Sequence, residues 1–131
     1  MPDSETGTQR ILVVEDEPHI SQICERVLTA EGFEVELAAD GSIAQIIIDK
    51  GKHDLYLIDM RTPLMSGKEL YQWMKEKYPD SAKRVVFTTG DMMSGDTQSF
   101  LKEAARPFLP KPFTPDELKN AIIEALRQME S

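Results

Sequence analysis

Short, unbroken apolar runs recur along this chain, and each is followed by a segment of helical periodicity. Ile11-Leu12-Val13-Val14, Leu55-Tyr56-Leu57-Ile58 and Val85-Val86-Phe87 do not alternate polar with apolar, the pattern of strands covered on both faces. Residues 33–38 read as a second strand, and Phe108-Leu109 as a short fifth. Between them, Ile20, Ile23, Cys24, Val27 and Leu28 form one helical face that stops at Gly32. Further helices are expected over 43–50, 70–77 (ended by Pro79), 97–105 and from Pro115 onward. The last has a clear start: Thr114 as N-cap, Pro115 at the first helical position and Glu117 completing a capping box. Leu118, Ile122, Leu126 and Met129 form its apolar stripe. Five strands alternating with five helices predict an α/β, doubly wound, five-stranded parallel sheet with helices on both faces.

A length of 131 residues suits one domain, read here as a flexible tail over 1–9 and a folded unit over 10–131. The tail is polar and has no apolar core, so it is not a secretory signal. No apolar run reaches the roughly 20 residues that cross a bilayer. The single cysteine, Cys24, excludes an internal disulfide and agrees with a reducing, cytoplasmic setting. Net charge is −8, which argues against a surface that grips nucleic acid, since phosphate backbones are held by clustered Lys and Arg.

In open parallel sheets, ligands bind beyond the carboxyl ends of the strands. Glu15 and Asp16 follow the first run, Asp59 the third, Thr88 and Thr89 the fourth, and Lys111-Pro112 the fifth. Three carboxylates meeting at one edge repel one another unless a cation intervenes. A hard divalent ion, Mg²⁺ or Mn²⁺, suits such an all-oxygen set. With it in place, Asp59 is a candidate carboxylate nucleophile toward a phosphoryl group, with Lys111 and Thr89 stabilising the transferred oxygens.

With these residues in order, the sequence resembles the receiver domains of bacterial two-component response regulators. The resemblance runs from about Ile11 to Met129 through ILVVEDEP, DLYLIDMRTPLMSG, VVFTTGD and LPKPF. Asp59 to Thr89 is thirty residues and Asp59 to Lys111 fifty-two, spacings similar to those of single-domain chemotaxis regulators. It implies the flavodoxin-like strand order 2-1-3-4-5 and Asp59 as phosphoacceptor. Glu15, Asp16, Asp59 and the Arg61 backbone carbonyl would hold the metal, and Thr89 and Lys111 the phosphoryl oxygens. Phe108 would be a switch aromatic, and Lys111-Pro112 a cis peptide. A histidine kinase or histidine phosphotransfer protein would be the phosphate source, and the face from the fourth helix to the fifth helix a dimerisation surface. Glu15 stands where the family more usually has Asp, and Gly90 where Ala is common. DMMSGDTQSF, rich in Met, Ser and Gly, predicts a fourth helix that either starts late or moves.

Arg61 and Asp91, two residues after Asp59 and Thr89 respectively, are expected to pair over the site and shield the acyl phosphate. His19 and His53 are expected to be ordinary surface residues, and Trp73 and Met74 to pack on the sheet. Two other readings compete. Phosphatases of the haloacid dehalogenase type place a second acid two residues after the nucleophile, where this chain has Arg61. A receiver-like module that works by protein contact alone needs none of the phosphorylation residues. No separate turnover reaction is expected, so the chain is read as a phosphoacceptor rather than an enzyme. No output domain follows Ser131, which leaves a stand-alone regulator and a piece of a longer protein both open.

Overall fold

The computed structural model describes residues 8–129. Most of the expected tail, residues 1–7, and the last two residues of the expected domain lie outside them. Within the described part, the Gln9 carbonyl accepts a hydrogen bond from the Glu34 amide at 2.9 Å.

The chain alternates β1 (Arg10–Val14), α1 (Pro18–Ala30), β2 (Glu34–Ala38), α2 (Gly41–Lys50), β3 (Leu55–Asp59), α3 (Gly67–Lys77), α4 (Pro79–Ala82), β4 (Val85–Thr89), α5 (Gly95–Ala104), β5 (Phe108–Pro110) and α6 (Pro115–Met129). All strand pairs are parallel, in the order β2-β1-β3-β4-β5. The apolar runs are unbroken because successive side chains enter two different cores. Leu12, Val14, Tyr56, Ile58, Val85 and Phe87 pack on one face with residues of α2, α3 and α5. Ile11, Val13, Leu55, Leu57 and Val86 pack on the other with α1 and α6. Each strand therefore needs apolar residues at odd and even positions alike.

Among the described residues there are six helices where five were expected. Pro79 ends α3 and also opens the one-turn α4, because its fixed backbone angle suits a first helical position. The fourth expected helix, here α5, begins at Gly95 instead of Thr97, since the Ser94 hydroxyl accepts from the Thr97 amide and caps it. At α3, Ser66 and Glu69 form a reciprocal capping box. The Thr114–Glu117 box of α6 has its two bonds at 2.8 and 3.1 Å. His53 is not a surface residue. Only 5% of it is exposed, and its Nε2 lies 2.9 Å from Glu36 of β2. His19 is exposed, Met74 is fully buried, and Trp73 packs half-buried against Tyr78.

Two features position the site. The strand order reverses at β1, whose neighbours are β2 and β3, so a crevice opens beyond the carboxyl ends of β1 and β3. Gly67 lets α3 begin directly against β3: a Cβ there would stand 2.4 Å from the Asp59 carbonyl oxygen.

Candidate functional site

Val14 pairs with Ile58 and Asp59 with Thr88, so Glu15, Asp59 and Thr89 emerge side by side at the sheet edge. One carboxylate oxygen from each of Glu15, Asp16 and Asp59 lies within 4.8 Å of the other two. Glu15 and Asp59 are buried and Asp16 is exposed. Each buried acid is partly anchored by backbone amides: Glu17 N donates to Glu15 at 3.2 Å, and Arg61 N to Asp59 at 3.2 Å.

Lys111 reaches in from the end of β5. Its amide donates to the Thr89 carbonyl at 2.9 Å, and the Lys111-Pro112 peptide is cis. The ammonium lies 2.7 Å from Glu15, 3.1 Å from Asp59 and 3.5 Å from Glu17. Burial opposes the Lys111 charge, but the hydrogen bond to Glu15 and the charge of Asp59 outweigh it, and its pKa is raised. Glu15 is pushed up to about 7, chiefly by burial and further by the neighbouring Asp59, with Lys111 pulling the other way. A lysine shared among acids, one of which is reluctant to ionise, marks a site with more negative charge than its protein partners answer.

Thr89 is 1% exposed, and its Oγ1 accepts from the Asp91 amide at 3.0 Å. The Asp91 carboxylate pairs in turn with the Arg61 guanidinium, joining the loop after β3 to the loop after β4. Phe108 is 44% exposed at the start of β5 and is not part of the cluster. Glu17 escaped the sequence reading. The acidic run EDE was the available signal, but only the turn into α1 decides that its third member also faces Lys111.

The donor set fits a hard divalent cation. It offers three carboxylates, all of oxygen, and Mg²⁺ and Mn²⁺ favour oxygen ligands. Among the described residues no histidine or cysteine joins this cluster, which argues against a zinc-type centre.

A doubly wound sheet with an acidic crevice, a buried threonine and an inward lysine defines an aspartate-centred receiver. Residues 11–123 match the response regulator receiver domain family, and the chain belongs to it. The chain is 32% identical over 126 residues to the DNA-binding response regulator MtrA of Mycolicibacterium smegmatis, covering 96% of this chain and 54% of that protein. It is 33% identical over 119 residues to the transcriptional regulatory protein DltR of Streptococcus agalactiae, covering 91% of this chain and 52% of the relative. The chain thus spans about half the length of these curated relatives. A CheY-like response regulator receiver domain protein from Methanospirillum hungatei superposes with a TM-score of 0.85 at 30% identity, covering 95% of this chain and 98% of that one. Phosphorylation on aspartate by histidine kinases is general in the family.

Proposed function

We propose that this chain accepts a phosphoryl group on Asp59 from a phosphohistidine partner, a histidine kinase or a phosphotransfer protein, and signals through the resulting change in packing. The observation that carries this reading is the placement of Lys111 between Glu15 and Asp59, at 2.7 and 3.1 Å. An Asp59 carboxylate oxygen attacks phosphorus, the O–P bond forms, and the P–N bond to the donor imidazole breaks. The imidazole leaves with its electron pair and is protonated from solvent. Lys111 stabilises charge on one phosphoryl oxygen as a point cation. The Thr89 hydroxyl, held by the Asp91 amide, is available to another.

Glu15, Asp16, Asp59 and the Arg61 carbonyl would hold the divalent cation, Mg²⁺ or Mn²⁺. When bound it supplies positive charge against the transferring oxygens and aligns them with Asp59. Once Asp59 carries the phosphoryl group, Lys111 gains a stronger anionic partner, and Thr89 and the exposed Phe108 are the residues poised to follow. That local charge change biases α5 and β5 toward a second packing. The face running from α5 to α6 is the proposed surface for self-association. The Arg61–Asp91 pair covers the acyl phosphate and slows its hydrolysis. The chain assists its own phosphorylation and dephosphorylation without a separate turnover reaction. A cytoplasmic setting fits a partner of this kind; among the described residues, no helix is long and apolar enough to cross a membrane. Its acidic balance is the reason direct nucleic acid binding is not proposed for this part.

Incubation with acetyl phosphate or phosphoramidate and Mg²⁺, followed by intact-mass measurement, tests this. One added phosphoryl group in the native chain and none in Asp59→Ala is the expected result. No mass gain in the native chain would favour a module acting by contact alone. Sustained hydrolysis of a phosphate ester would favour a phosphatase, against which the position of Arg61 already argues.

A further inference from the structure

The opposite end of the sheet carries a second, differently charged recess. Residues just ahead of β3, β4 and β5, with the last turns of α6, line a half-open recess of about 670 Å³, within the range of small-molecule sites. Because the strands are parallel, this end lies about one strand length, roughly 15 Å, from Asp59. In a chain of net charge −8, four cations line it: Lys52, Lys83, Arg84 and Arg106.

Among the described residues, none of these four is held in an ion pair. Arg84 Nη1 donates to the Asp54 carbonyl at 3.1 Å, and Arg106 Nε to the Val85 carbonyl at 3.0 Å. These bonds fix the two forks and leave their remaining N–H groups without a protein oxygen among the described residues. Arg84 and Arg106 are both half-buried residues, and burial pulls Arg106 below its ordinary value. Two acids share the lining but answer none of the cations: the Asp54 carboxylate accepts from the Arg10 amide at 2.8 Å, and Asp80 is exposed on α4. The wall also contains buried His53, whose Nδ1 has no partner among the described residues. Partly buried guanidiniums with no acidic partner among the described residues gain from an anion that completes them, and their planar forks match tetrahedral oxyanions.

From this geometry we infer that the cavity binds a small phosphorylated anion, of pyrophosphate to nucleotide size. The charge balance of the lining, four cations against two acids, calls for more than one negative charge. The volume leaves room for an organic group beyond the phosphates. The inference is independent of the reading of Asp59.

Calorimetric titration of the 131-residue chain at low salt, with EDTA present, tests it using ATP, pyrophosphate and citrate as probes. Saturable one-to-one binding of ATP or pyrophosphate is expected, weakened at least tenfold by Arg106→Gln and by Lys83→Glu. Arg84→Lys, which keeps the charge and loses the fork, is expected to bind less tightly than the native chain. Thermal melts establish that each variant is folded, and Lys83 is exposed, so its replacement leaves the core intact. In an isotope-labelled chain, ATP should move the amide signals of residues 52–54 and 83–84. Absence of saturable binding, equal affinity in the folded Arg106→Gln and Lys83→Glu variants, or citrate binding as tightly as the phosphates would overturn the proposal. So would shifts confined to residues 15–17, 59 and 111.

Discussion

The Lys111 ammonium lies 2.7 Å from Glu15, closer than its 3.1 Å approach to Asp59. In this arrangement the lysine neutralises an acid proposed to hold the metal as well as the proposed phosphoacceptor. Cation binding and phosphoryl binding would therefore draw on one shared charge.

Lys111→Ala should separate the two roles. Removing a competing positive charge from three clustered carboxylates is expected to raise Mg²⁺ affinity several-fold, while slowing phosphorylation by acetyl phosphate at least tenfold. Calorimetry with Mg²⁺ and the rate of mass gain measure the two effects. A fall in Mg²⁺ affinity would mean that the lysine organises the acids instead of competing for them.

Glu15 makes the site pH-dependent. Its pKa is about 7 in the fold against 4.5 ordinarily. Between these values the native state holds a proton that the unfolded chain has released. Stability of the metal-free protein should therefore fall as pH rises from about 4.5 to about 7, then level off. Mg²⁺ requires the ionised carboxylate, so its affinity should rise through the same window and flatten above it. Denaturant melts in EDTA and Mg²⁺ titrations across pH 4.5–8 would show both trends, and Glu15→Gln should flatten both.

The Arg61–Asp91 pair makes a kinetic prediction. Arg61 is 69% exposed and Asp91 28%, so the pair is worth ~0.5–1 kcal/mol. Arg61→Ala or Asp91→Ala should each shorten the lifetime of the phosphorylated form about two- to five-fold, and the double variant should do little more. An unchanged lifetime in Arg61→Ala would exclude shielding.

Gly67→Ala tests how closely α3 must approach β3. The added Cβ would meet the Asp59 carbonyl at 2.4 Å and Met60 Cα at 2.8 Å, both backbone atoms that cannot swing aside. A loss of roughly 1–3 kcal/mol is expected, with slower phosphorylation because Asp59 itself must shift. A native-like melting curve would show that α3 yields more easily than its packing suggests.

The sequence reading failed where one residue could serve two structures. Pro79 reads as a stop because proline cannot continue a helix, yet the same fixed angle makes it the first residue of α4. SGKE contains a capping-box pattern, but its serine also reads as part of the loop after Asp59. His53 reads as a surface residue because it stands just before a strand beside Lys52. It is buried because β2 supplies Glu36 at 2.9 Å and the Tyr56 hydroxyl accepts from its amide at 3.0 Å.

From local periodicity alone follow the strands, the parallel sheet and the list of groups at its carboxyl edge, because a strand buried on both faces has few ways to be written and its end is where polarity returns. The pairings among those groups come only from the tertiary structure: Lys111 nearer Glu15 than Asp59, Arg61 against Asp91, Glu17 turned toward the lysine, and at the far end four cations with no ion-pair partner among the described residues. Coulomb attraction and desolvation change steeply within a few ångströms, and residue spacing does not carry distances of that size.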